Sequence, residues 1–342
     1  MTIFTKSSLS LVRKFLFTYF SMLFLLSACS VGDKNVANSC IWEMQPVFGV
    51  CDTVNIDTMN IKNPFIVYDR KADMYYMTGD EGLVWKSKEL HLWIGPYNVL
   101  VHDTASWLGT SPVITSPEIH KFANKYYYMA TFETAEHCSC ETLVADSITG
   151  PYKTIDSRNY LLDVDEIAVN PTFCSDEFKN GYMIYNHSGE QNGNGTVQIV
   201  LFAKDFERRL GEAYVMFSAS KIAWSHKNVN GERQFSPVLE SPYLFYSGDE
   251  GLGILFTAYN GDDKAIGVAY SETGTLNGPW VVEEEPLLRG FDSVAMFDDY
   301  DGTLVMVASK DTVINGVEKT VPKLIKTDSQ FEKLKIKGYY KF

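Results

Sequence analysis

Residues 63–79 read NPFIVYDRKADMYYMTG. A short apolar run, FIVY, leads into a turn rich in charge, and a second run, MYYMTG, returns with aromatic residues. That is the pattern of two antiparallel strands joined by a tight connection. An Asn-Pro pair stands at the mouth of the first strand, where a buried strand has no evident use for an amide. The phrase also recurs.

SPEIHKFANKYYYMATF begins at Ser116, NPTFCSDEFKNGYMIYN at Asn170, ESPYLFYSGDEGLGILFTA at Glu240 and SVAMFDDYDGTLVMVAS at Ser293. The starts lie roughly 53, 54, 70 and 53 residues apart, a period that suits four-stranded propeller blades. A second phrase keeps step with the first. WIGPY at Trp93, SITGPYK at Ser147 and TLNGPWV at Thr275 each place a Gly-Pro turn and an aromatic after a third strand. Helical periodicity of useful length is nearly absent, so the expected fold is all-β, a five-bladed β-propeller. In such a ring the first residues of the innermost strands face a shared mouth. Asn63, Glu118, Asn170, Glu240 and the Asp292–Ser293 pair are therefore expected to converge there.

The ends and the composition set further bounds. Lys6, Arg13 and Lys14 precede the apolar run FLFTYFSMLFLL, which is shorter than the roughly 20 residues of a membrane span. It ends in LSAC, similar to a bacterial lipoprotein signal in which Cys29 is lipidated; an ordinary secretory signal is the alternative. The expected organisation is a signal peptide over 1–28, a linker over 29–56 from lipidated Cys29, and one propeller domain over 57–342. The chain is expected to be exported and held at a membrane, periplasmic or at the cell surface, by lipid only. A net charge of −13 argues against a nucleic-acid partner. Of the six cysteines, Cys40 and Cys51 are placed to close a short loop, and none has the spacing of metal ligands. No metal and no cofactor is expected, and a monomer is.

The ordered set of phrases resembles the five-bladed glycoside hydrolases of family 43, the arabinanases, arabinofuranosidases and xylosidases, over nearly all of the mature chain. The resemblance implies inverting hydrolysis with an Asp base on the first blade, a tuning Asp on the third and a Glu acid on the fourth. Glu240, in VLESPYLF, matches the acid. Asn63, in IKNPF, and Asn170, in AVNPTF, stand where the resemblance calls for the two Asp residues.

Those departures remove charge while keeping shape. Inverting hydrolysis needs one carboxylate to activate water and an opposing acid to protonate the leaving oxygen. An amide holds a water without deprotonating it, and general-base assistance is worth about 10² to 10⁴ in rate. Two neutral amides also remove negative charge that keeps a general acid protonated. Glu118, Asp292 and Asp57 are candidate substitute bases, each weighed against a sugar-orienting or solvated role.

Trp107 and Trp224, in connections ahead of the second and fourth repeats, are candidate sugar platforms. His120 shares a strand face with Glu118 and is a candidate pocket donor. The polar stretch NHSGEQNGNGT from Asn186 is expected to be a flexible loop with His187 exposed. Two functions follow as expectations: hydrolysis of arabinose-, xylose- or galactose-containing oligosaccharides or polysaccharides with an altered base, or sugar binding by a catalytically impaired relative.

Overall fold

The computed structural model describes residues 43–155, 160–162, 167–248, 251–329 and 333–342. The expected signal peptide, the lipidation site Cys29 and Cys40 lie outside the described residues. Cys51 carries a free thiol.

The described strands form five separate sheets in chain order. Each has an inner strand: Phe65–Asp69, Val113–Phe122, Ala168–Ser175, Leu239–Ser247 and Asp292–Asp298. Each inner strand pairs antiparallel with the next strand in sequence, as the two-strand phrases predict. The three Gly-Pro tags share a cis peptide at 95–96, 150–151 and 278–279.

The second strands explain why the apolar runs are continuous rather than alternating. Side chains along a strand point to opposite faces, and here both faces meet another sheet. Tyr126 and Tyr128 pack towards the first sheet while Tyr127 and Met129 pack towards the third. Met183 and Tyr185 face the second sheet, and Ile184 faces the fourth. Leu255 faces the fifth sheet while Ile254 and Phe256 face the third. Met306 faces the fourth sheet, and Val305 and Val307 pack with Phe65, Ile66 and Met77 of the first. The apolar interfaces thus run from each sheet to the next and return from the fifth to the first, the arrangement of a β-propeller.

Polar contacts reinforce that closure. Ile61 N donates to Thr320 O at 2.8 Å and Thr320 N donates to Asn60 Oδ1 at 2.9 Å. Asp299, nearly buried, accepts from the hydroxyls of Tyr75 and Tyr340, the latter at 2.9 Å. Burial and the Asp299 hydrogen bond push both phenols well above their ordinary range.

The stretch after Asn186 differs from the expected flexible loop. A short helix, Gly189–Asn192, forms there, and Gly195 N donates to Pro237 O at 2.9 Å. A Cβ on Gly189 or Gly195 would run into that Pro237 carbonyl, so glycine permits the loop to lie flat on its neighbour. His187 is partly buried and contacts Gln191 Oε1 at 3.0 Å.

Candidate active site

Five residues, one from the start of each inner strand, have left-handed backbone: Asn63 (φ 50°), Ser116 (50°), Asn170 (54°), Ser241 (50°) and Ser293 (40°). Left-handed non-glycine residues are uncommon, and a cluster of them marks a site the surrounding structure holds in place. Four precede a proline, Pro64, Pro117, Pro171 and Pro242. The ladder breaks register at the same place in the last four sheets, between 115 and 118, 169 and 172, 240 and 243, and 292 and 294. The left-handed residue is the extra residue of a bulge, which bends the strand and re-aims side chains. All five line one cavity of about 20 Å³, room for a single water.

This register corrects the expected convergence. The ring positions are Asn63, Ser116, Asn170, Ser241 and Ser293, so the fourth repeat aligns on Ser241 rather than Glu240. Glu240 and Asp292 each stand one residue before the ring. Glu118 stands two residues beyond Ser116, still lining the cavity. The carboxylates therefore sit at two levels instead of one.

Glu240 and Asp292 share a cation that sequence reading missed. Lys264 Nζ lies 2.5 Å from Glu240 Oε2 and 2.9 Å from Asp292 Oδ2. Burial pushes the Lys264 ammonium down, but the charges of Glu240 and Asp292 outweigh it and hold its pKa well above the ordinary lysine value. Lys264 comes from the turn end of the strand Asp263–Ser271, in an Asp-Asp-Lys sequence that looks like any solvated turn.

The two amides are wired into a relay across the first three sheets. Asn63 Nδ2 donates to Asp80 Oδ1 at 2.8 Å, and Ser116 N donates to the same oxygen at 3.0 Å. Asn170 Nδ2 donates to Ser116 Oγ at 2.7 Å, and Asn170 N donates to Thr131 Oγ1 at 2.8 Å. The Nδ2 donation to the Asp80 carboxylate fixes the Asn63 flip, and among the described residues no donor reaches its Oδ1. Asn170 Oδ1 is buried and likewise has no donor among the described residues. Asp80 was also missed; it follows the second strand of the first sheet and is silent in a repeat read from inner strands.

Glu118 Oε2 lies 2.6 Å from His120 Nε2, both side chains 12% exposed. The His120 ring sits 5.0 Å from Phe65 and 5.5 Å from Phe173, so it packs between the inner strands of the first and third sheets. Asp57 is occupied elsewhere, 2.6 Å from Lys323. Trp107 is half-buried against His137 and Tyr160, and its Nε1 donates to Glu141 Oε2 at 2.8 Å. Trp224 is 5% exposed and stacks parallel on Phe256 in the core, so it presents no face for a sugar. Trp93 is wholly buried, and Trp280 packs against the core of the third and fourth sheets. Among the described residues no cluster of His, Cys, Asp and Glu has the form of a metal site.

The sequence signature of the Glycosyl hydrolases family 43 matches residues 56–318. The extracellular endo-α-(1→5)-L-arabinanase of Thermotoga petrophila is 23% identical over 281 residues, 72% of this chain and 56% of that protein. The chain thus spans about half the length of that curated relative. The endo-arabinase of Bacteroides thetaiotaomicron superposes with a TM-score of 0.70 at 23% identity, over 79% of this chain and 95% of that one. An endo-1,4-β-xylanase from the same organism gives 0.64 at 17% identity, over 84% and 97%. These likenesses show the propeller fold, while the signature extends over most of the chain. The protein belongs to glycosyl hydrolase family 43.

Proposed function

We propose that the protein is an exported hydrolase of arabinose- or xylose-containing oligosaccharides and polysaccharides, with Glu240 as the acid that protonates the leaving oxygen. The observation that carries this reading is the position of Glu240, one residue before the cavity-lining Ser241, within the family signature. The Thermotoga relative's name supports both export and the arabinan class. The apolar run ahead of Cys29 supports export with lipid anchoring.

The chemistry differs from an unmodified inverting pair. Glu240 is ion-paired with Lys264, so it reaches the leaving oxygen only after the sugar displaces that contact and Asp292 retains the ammonium. Asn170 lines the cavity and holds Ser116 in place, and its buried Oδ1 is an acceptor without a donor among the described residues. Trp107, backed by the buried Glu141, offers an aromatic surface of the kind sugars stack on.

A second reading has its own observation. Asn63 and Asn170 are neutral and Glu240 is occupied by Lys264, which favours capture of a glycan without turnover. The test is reducing-end release by purified protein from linear arabinan, arabino-oligosaccharides and xylo-oligosaccharides, beside Glu240→Gln. Release that falls at least about 100-fold in Glu240→Gln supports the hydrolase. Binding without release supports capture, and neither binding nor release removes both readings.

A further inference from the structure

We propose that Asn63 and Asp80 together form the proton acceptor for the attacking water, Asn63 at the water and Asp80 acting through it. The inference rests on the hydrolytic reading above and assigns the base that reading lacks.

Three features support it. The Asn63 Nδ2 donates to Asp80 Oδ1 at 2.8 Å, so the amide is already aligned to lose a proton on one side as it gains one on the other. Among the described residues no donor reaches its carbonyl oxygen, and Asn63 lines the ring cavity. Asp80 has no cation partner among the described residues; its Oδ1 takes only neutral donors, Asn63 Nδ2 and Ser116 N. Its negative charge is thus unspent.

A lone amide is a poor base because protonation leaves it cationic. If the proton on nitrogen leaves as one arrives on oxygen, the product is a neutral imidic acid and that penalty disappears. The step balances as follows. A water hydrogen-bonded to Asn63 Oδ1 attacks the anomeric carbon. The bond from that carbon to the leaving oxygen breaks, its electron pair staying on the oxygen, which takes a proton from Glu240. The water's proton passes to Asn63 Oδ1 and the Nδ2 proton passes to Asp80 Oδ1. After release, Asp80 returns its proton to Asn63 nitrogen, Asn63 Oδ1 gives its proton to solvent, and Glu240 takes one from solvent.

The discriminating variant is Asp80→Asn. Its side-chain oxygen accepts the same two hydrogen bonds, so a purely structural Asp80 predicts unchanged kinetics. The relay predicts a fall of about 100-fold or more in kcat on linear arabinan or xylan oligosaccharides, with KM within twofold and melting temperature preserved. The exchanged double variant, Asn63→Asp with Asp80→Asn, places the carboxylate at the water and the amide behind it, and is expected to recover turnover. Asn63→Ala is expected to lose as much rate as Asp80→Asn, and it reports on the relay even if the Asp80 variants misfold. The relay is overturned while hydrolysis stands if wild type turns over and either single variant stays within twofold of it, or if the folded double variant is no better than Asp80→Asn. Wild type that binds the oligosaccharides and releases nothing overturns both the hydrolytic reading and the relay.

Discussion

Glu240 and Asp292, from the inner strands of neighbouring sheets, are joined through one ammonium: Lys264 lies 2.5 Å from the first and 2.9 Å from the second. The contact ties the residue proposed as acid to a group that competes for its negative charge, and it makes the Lys264 cation part of both stability and rate.

For stability the sign follows from the raised Lys264 pKa. A lysine held above its ordinary 10.5 contributes stability that is complete below that value and is lost as pH climbs through the folded-state value. Lys264→Gln is expected to cost roughly 1–2 kcal/mol at pH 7, since all three side chains are partly exposed. Thermal melts of the two proteins are expected to differ most from pH 7 to 9 and to converge above pH 10.5. A gap that widens at high pH contradicts the assignment.

For rate, removing the ammonium frees Glu240 from the ion pair it shares with Asp292. Lys264→Gln is expected to raise kcat on oligosaccharides. On aryl glycosides, whose leaving groups need little protonation, the change is expected to be smaller. An unchanged kcat on natural substrates shows that the Lys264 contact does not hold Glu240 back.

The amide positions yield a prediction against simple reversion. Asn63→Asp alone sets a second carboxylate where Nδ2 now donates to Asp80 at 2.8 Å, and like charges so close destabilise the ionised pair. That variant is expected to melt lower than wild type, and adding Asp80→Asn is expected to restore the melting temperature. Equal melting temperatures for wild type and Asn63→Asp contradict the contact.

Much of this fold is legible because burial on two faces leaves a plain mark. Runs such as YYYMATF and ILFTA are apolar at successive positions, which a one-faced strand does not tolerate. Asn63, Asn170 and Glu240 are visible for another reason, since each opens or immediately precedes a repeated phrase. Ser116 opens its phrase too, but a serine there carries no charge that marks it for chemistry, and Ser241 is hidden because a bulge adds a residue without disturbing composition. Asp80 and Lys264 are hidden because they stand at strand ends among other polar turn residues. Trp224 misleads because its connection reads as exposed, whereas packing on Phe256 decides its burial.

That packing is itself testable. Gly267 lies beneath the Trp224 and Phe256 rings, and a Cβ there would come within 2.6 Å of Trp224 Cζ2. Gly267→Ala is expected to destabilise by about 1–3 kcal/mol through overpacking, read by denaturant unfolding. A neutral result would show that the ring pair is loosely held.

Ring closure depends on a buried carboxylate. Asp299→Ala leaves the nearly buried Tyr75 hydroxyl without its acceptor and frees Tyr340, and is expected to cost about 2–4 kcal/mol. Calorimetry checks this, and a loss below about 0.5 kcal/mol rejects Asp299 as a closure contact.

The most direct test of the central claim is a crystal structure of Glu240→Gln soaked with a linear arabino-oligosaccharide. The account predicts a glycosidic oxygen about 3 Å from the substituted side chain, with a water on Asn63 Oδ1 across the same sugar ring. A sugar bound away from the ring of Asn63, Ser116, Asn170, Ser241 and Ser293, or lying with the substituted side chain and Asn63 on one side of it, would contradict the account.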